Sequence, residues 1–139
     1  MNIEELQGFN KSIIDEFRAN KGVVGGMFTN AQLLLLTTTG AKSGLSRVNP
    51  LACLSDGERY VIFASYEGGP TNPPWYYNLL SNQEVGVEVG SEQFTANAAV
   101  VAEPERTELY AKMVELMPVF SEYRSKTTRV IPVVALSPV

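Results

Sequence analysis

The stretch "LLLLTTTGAKSGLSRVNPL", residues 33–51, decides the fold. Four leucines followed by three β-branched threonines describe a buried strand over 33–39. Residues 40–44 form a turn, and "SRVNPLACL" (46–54) continues as the partner strand, with Pro50 pointing to an edge or a bulge. The turn carries Lys42, Ser43 and two glycines, with Arg47 just beyond it. Glycines let backbone N–H groups face a ligand, the hydroxyl adds a donor and the cations add charge, so the turn suits an anion. It is not a Walker-type loop: GxxxxGK[ST] needs glycine directly before the lysine, where Ala41 stands, and a helix afterwards, where a strand follows. The same letters would also serve a solvated hairpin whose cations keep a sheet edge soluble.

Upstream, Ile3, Leu6, Phe9, Ile13, Ile14 and Phe17 recur at helical spacing, giving an amphipathic helix within residues 1–21. Its interspersed charges are mixed rather than basic, which fits a lid over the core better than a membrane-surface helix. Downstream, "SDGE" (55–58) is a hairpin turn and "RYVIFAS" (59–65) a third strand. A loop then opens the helix "PPWYYNLLSN" (73–82), with Asn72 as N-cap and Pro73 in the first helical position. "EVGVEVG" (84–90) and "EQFTANAAVVA" (92–102) alternate as a hairpin of two more strands. A helix over 103–117 starts near Pro104 and ends at Pro118, and "RVIPVVALSP" (129–138) supplies a sixth strand. Six strands in successive hairpins, with helices at the start, the middle crossover and the end, predict a mainly β, α+β architecture: a six-stranded antiparallel barrel with peripheral helices. Regular helical crossovers are missing, so a doubly wound Rossmann sheet is not expected. Residues 1–139 read as a single domain.

At 139 residues, 45% apolar and 19% charged, the chain can bury a full core. A formal charge of −4 argues against a nucleic-acid binder and makes any anion site a local feature. With one cysteine, Cys53, no internal disulfide can form, and neither a membrane-spanning run nor a signal-peptide pattern is present, so a soluble, cytoplasmic protein is expected. The chain has no histidine. That removes Ser/His/Asp and Cys/His nucleophilic catalysis and every histidine-bearing metal site, so no metal is expected and a bound cofactor would have to carry the hard chemistry.

Two further patches bear on a ligand. "FASYEGGPTNPPWYYNL" (63–79) gathers Ser65, twin glycines, Trp75, Tyr76, Tyr77 and Asn78, aromatic area with a few polar groups that suits a flat ring system, although Trp75 and one tyrosine serve equally well as core packing. In "MPVFSEYRSKTTRVIP" (117–132), Met117, Phe120 and Tyr123 recur every three residues and would share a face on a helical turn, either packing on the barrel or lining a pocket.

Taken together, "LLLLTTTGAKSGLSRVNPL", "ASYEGG", "NPPWYYNL" and "PVFSEYRSKTTRVIPVV" resemble the deazaflavin (coenzyme F420)-dependent nitroreductase family, over about residues 22–138. The resemblance implies a split β-barrel that holds reduced F420 in a groove and passes a hydride from the ring's C5 to a quinone- or nitro-type small-molecule acceptor. It implies that Lys42, Ser43, Gly44 and Arg47 bind the acidic tail of the cofactor, and that Pro50, Ala64, Ser65, Tyr66, Pro74, Trp75 and Asn78 complete its site. It gives Ser65 and Tyr123 the catalytic roles, Ser65 orienting or polarising the acceptor, and places Met117, Phe120 and Tyr123 against the substrate. The protein would then need only to hold two rings about 3 to 3.5 Å apart and exclude water, which agrees with the missing histidines.

The chain departs from that pattern in places. The family turn usually reads Gly-Arg-Lys, and Ala41 replaces the arginine; lysine usually follows the serine, and here Tyr66 does. Each lost cationic contact would weaken the grip on the cofactor by about 1 to 3 kcal/mol if charge-assisted. Prodrug-activating relatives present a tyrosine cluster where this chain has Met117, Phe120 and Tyr123, which favours an apolar acceptor such as a quinone. A non-catalytic F420 or flavin carrier is the alternative, and FMN ranks behind F420 as cofactor. The resemblance allows a monomer or a homodimer.

Overall fold

The computed structural model describes residues 3–25 and 32–139. The side chains of residues 3–9 lie outside the described residues, and with them the predicted apolar positions Ile3, Leu6 and Phe9.

Helix α1 (Ile3–Ala19) precedes six strands: β1 (Leu33–Thr39), β2 (Ser46–Asp56), β3 (Arg59–Phe63), β4 (Glu84–Val89), β5 (Glu92–Val100) and β6 (Val133–Pro138). All pair antiparallel in a closed barrel of order β1-β2-β3-β6-β5-β4. The expected hairpins β1–β2, β2–β3 and β4–β5 are present. The last strand does not extend a meander, however: β6 inserts between β3 and β5 and so completes the barrel. Helix α2 (Pro74–Ser81) fills the β3–β4 connection, and α3 (Glu105–Leu116) with α4 (Val119–Ser125) fills the β5–β6 connection.

The leucine run of β1 is buried on both faces. Leu34 and Leu36 point into the barrel with Ile62, Val87, Ala98 and Leu136. Leu33 and Leu35 point outward, beneath Ile13 and Phe17 of α1. Each such burial stabilises by about 1.5–3 kcal/mol, which is why β1 shows no alternation. In β5 only Ala96 and Ala98 are buried, because the outer face of that strand is exposed. On the far side, α3 and α4 cover the outward residues Val61, Phe63, Val133 and Ala135 with Tyr110, Met113 and Phe120.

Pro50 confirms its edge reading. The Cys53 N–H donates to the Gln32 carbonyl at 3.0 Å, so bonded and non-bonded pairs alternate from there and Leu35↔Pro50 is a non-hydrogen-bonded pair. Residues 46–52 of β2 pair with β1 and residues 53–56 with β3, so the nitrogen of Pro50 lies on a side where no ladder bond is lost.

Several predicted boundaries move. β3 ends at Phe63 rather than residue 65, because the chain turns into a 3-10 segment at Tyr66–Gly68. The cap of α2 is Pro73, with Pro74 in the first turn, and the Asn72 carboxamide is used elsewhere. β5 stops at Val100 and β6 begins at Val133. Pro118 ends no helical run for long: it caps α4. Burial pushes the Cys53 thiol up to about 12, so it stays protonated and is no nucleophile.

α1 is latched to the barrel by Arg18, whose Nε and Nη2 donate to the two carboxylate oxygens of Glu88 at 3.1 and 2.9 Å. The Arg18 bond, set against a smaller burial effect, holds the Glu88 carboxyl below its ordinary value. A depressed carboxylate contributes stability that is present above its unfolded pKa and lost as pH falls through the folded one. Because half of the Arg18 side chain is exposed, Glu88→Gln is expected to cost about 0.5–1 kcal/mol at neutral pH. Denaturant midpoints of the two proteins should converge in acid, and a pH-independent gap would rule the latch out.

Candidate functional site

The β1–β2 turn is closed by the Gly40 N–H donating to the Leu45 carbonyl at 2.8 Å and the Gly44 N–H donating to the Gly40 carbonyl at 3.0 Å. The Ser43 hydroxyl accepts from the Leu45 N–H at 3.2 Å, which leaves its own proton available. Lys42, Ser43, Gly44 and Arg47 are all exposed. Among the described residues the Lys42 and Ser43 amides have no hydrogen-bond acceptor, and no carboxylate pairs with Lys42 or Arg47. An acidic protein therefore presents a compact cluster of cations and donors on one turn.

Asn78 fixes that turn from below. Its Oδ1 accepts from the Ala41 N–H at 3.0 Å, and its Nδ2 donates to the Thr38 hydroxyl at 3.3 Å. Asn78 thus braces the turn from α2. One turn earlier on α2, Trp75 is 5% exposed and packs in the cluster of Leu34, Leu36, Ala64 and Leu79. The aromatic patch divides accordingly: Trp75 is core, Tyr76 packs against that core, and Tyr77 is exposed. Pro74 is exposed at the start of α2, and Pro50 is half-buried on β2.

Beyond β3 the chain passes through Ala64, fully buried, and Ser65, 8% exposed. Tyr66 and Glu67 then adopt φ of 48° and 55°, and the Gly68 and Gly69 N–H groups donate to the Ser65 and Tyr66 carbonyls, both at 2.9 Å. This is a left-handed turn built on two non-glycine residues, strain of about 1–2 kcal/mol each, of the kind found at functional sites. Tyr66, where the resemblance expects lysine, is about half exposed.

The turn lies against α4, where the Gly68 backbone nests at Tyr123 and Lys126. Phe120 is 6% exposed, packed edge-on against Phe63 and Tyr110, and its carbonyl accepts the Tyr110 hydroxyl at 2.6 Å. It is the wedge that seats α4 on the barrel. Met117 sits in the kink between α3 and α4 rather than on one helix with Phe120 and Tyr123, yet all three join the same apolar cluster. Tyr123 is half-buried, and burial, then Glu67 and Glu122, raises its phenol above the ordinary value. Its hydroxyl stays a proton donor throughout the neutral range.

The largest omission from the sequence reading is Arg129. It donates to the carbonyls of Ala64 (3.1 Å), Ser65 (2.7 Å) and Gly69 (2.9 Å) and to Asn72 Oδ1 (2.6 Å). One signal was available: no acidic residue lies within four positions of it on either side, so it has nothing local to pair with.

The exposed cations and donors of the turn suit an acidic group such as the tail of F420, while Ala64 is fully buried in one core cluster with Trp75. Among the described residues no group of acidic or cysteine side chains could hold a metal, and no helix is long and apolar enough to cross a membrane. An open groove of about 580 Å³ lies elsewhere, between Phe17 and Arg18 of α1, Lys21 just beyond it, and the β4–β5 hairpin.

The chain is similar to known proteins in sequence and fold. An F420H(2)-dependent quinone reductase of Mycobacterium tuberculosis H37Rv is 36% identical over 127 residues, 87% of this chain and 84% of the relative. A solved structure described as an F420-H2 dependent reductase (FDR-A) superimposes with a TM-score of 0.70 at 37% identity, covering 76% of this chain and 93% of its own. Another, described as a domain-swapped dimer, gives 0.72 at 29% identity over 96% and 99%. The pattern that defines F420H(2)-dependent quinone reductases matches residues 10–138. Since that match runs through the cationic turn, the left-handed turn and α4 alike, this chain belongs to the F420H(2)-dependent quinone reductase family.

Proposed function

We propose that the protein reduces a quinone-type acceptor with coenzyme F420H2. The carrying observation is the Asn78 carboxamide, which ties the cationic turn to the helix whose Trp75 walls the buried Ala64, so tail site and ring site are one rigid unit. When bound, the reduced deazaflavin supplies the hydride. Lys42, Arg47 and the Ser43 hydroxyl hold the acidic tail by charge-assisted bonds. Ala64, Ser65 and Trp75 set the depth of the ring, and Pro50 and Pro74 shape its approach. Met117 and Tyr123 bound the acceptor, with Phe120 behind them as their support. The Ser65 and Tyr123 hydroxyls donate to the acceptor oxygen as it gains charge. A single hydroxyl among Met117, Phe120 and Tyr123 suits a quinone better than a polar nitro compound.

The test is a titration of purified protein with F420H2 followed by menadione, reading the loss of reduced cofactor. Turnover well above the uncatalysed rate is expected. Tight binding without oxidation would make the protein a carrier, and no binding would overturn both readings. Ser65→Ala should lower kcat about 10- to 100-fold with cofactor affinity nearly unchanged; equal turnover would remove Ser65 from the reaction.

A further inference from the structure

Arg129 stands outside every role given above, yet all four of its side-chain bonds go to the loop that carries Ser65. Its own N–H is anchored on the Thr127 hydroxyl at 3.2 Å, which sets the guanidinium before β6 begins. Its acceptors are three main-chain carbonyls and one carboxamide, all neutral, and among the described residues no carboxylate forms an ion pair with it. The positive charge is therefore undiminished where it meets the loop, and each bond is charge-assisted.

The direction of those bonds matters more than their number. The peptides Ala64–Ser65 and Ser65–Tyr66 are trans, so a carbonyl drawn toward the guanidinium turns the N–H of the same peptide to the opposite side. The Ala64 and Ser65 carbonyls are both held this way, at 3.1 and 2.7 Å, so the Ser65 and Tyr66 N–H groups both face away from Arg129. Among the described residues neither N–H has an acceptor. A cation at the carbonyl end of a peptide also polarises it and strengthens the donor at the other end. Ser65 has helical φ and ψ of −72° and −37° and Tyr66 a φ of 48°, the right-then-left sequence that makes successive backbone N–H groups converge.

We propose that Arg129 is a positioning residue for hydride transfer: it holds the left-handed turn after Ser65 and aims the polarised Ser65 and Tyr66 amides at the oxygen that becomes negative on the acceptor. The proposal rests on the reading of this loop as the wall of the reaction site. Arg129 touches neither cofactor nor acceptor, and it acts through the two peptides. A flexible lysine cannot span Gly69, Ala64, Ser65 and Asn72 together as the planar fork does, and glutamine removes the charge.

Two measurements on Arg129→Gln and Arg129→Lys decide the matter. Amide hydrogen exchange on the cofactor-free protein should be about tenfold faster over residues 64–72 in R129Q, with β1 and β4 unchanged. Steady-state kinetics should show kcat falling about tenfold or more in R129Q and less in R129K, while cofactor affinity and the acceptor KM stay within about threefold. Unchanged exchange over 64–72 overturns the proposal whatever the activity. Faster local exchange with unaltered kcat also overturns it, leaving Arg129 a structural clamp. If R129Q exchanges faster throughout the barrel, it is misfolded and R129K decides by the same readouts. Failure of the wild type to oxidise F420H2 would sink the proposed function separately, since the exchange experiment needs no cofactor.

Discussion

Gly68→Ala is expected to destabilise the protein by about 2–4 kcal/mol and to abolish most turnover. Gly68 has φ of 79°, and a methyl there would stand 2.7 Å from the Tyr123 carbonyl oxygen and 2.8 Å from Lys126 Cβ. The left-handed backbone alone costs about 1–2 kcal/mol once a Cβ is present. The remainder comes from pushing α4, and Tyr123 with it, off the turn that follows Ser65. Gly44→Ala is the matched control, because its φ is 71° and a methyl there meets nothing within 4 Å. Thermal melts should separate the two variants. A Gly68 variant no worse than the Gly44 variant would show that the turn and α4 are not tightly engaged.

The second large effect belongs to the cationic turn. Lys42→Ala with Arg47→Ala is expected to weaken F420 binding about 10- to 100-fold and to flatten its dependence on salt, with little change in melting temperature. Both side chains are exposed and neither is paired with a carboxylate among the described residues, so their loss removes charge without disturbing packing. Fluorescence titration of the cofactor at low and high salt gives both quantities. Unchanged affinity in the double variant would reduce the turn to an ordinary hairpin. Ala41 adds a second expectation: Ala41→Arg should tighten binding, because the Ala41 contribution to the fold is its N–H, donated to Asn78, and any side chain keeps that.

The barrel was legible because its strands announce themselves through burial. β1 is read to the residue, since an apolar run covered on both faces needs no alternation to be recognised. The β4–β5 hairpin is read from the alternation of one-sided burial. What was missed depends on partners remote in sequence. Asn72 has the composition of a helix cap, but Arg129, 57 residues later, takes its carboxamide, and Pro73 caps instead. Tyr66 and Glu67 carry no glycine to signal a left-handed turn, and the Arg129 bonds that hold it join strand ends that only the folded barrel brings together. The same holds for Phe120 and Met117: their spacing gave a shared face, but which surface that face meets depends on β3 and α3.

One feature of the packing bears on how such a protein can change. Ala64 and Trp75 belong to the cluster inside the barrel, whereas Met117, Phe120 and Tyr123 belong to the cluster outside it under α3 and α4. Side chains in separately packed clusters accumulate substitutions nearly independently. Under the function proposed above, the wall facing the acceptor can therefore drift in size and polarity while the floor beneath the cofactor keeps its shape, so new electron acceptors are open to this scaffold without the redox partner being relearned.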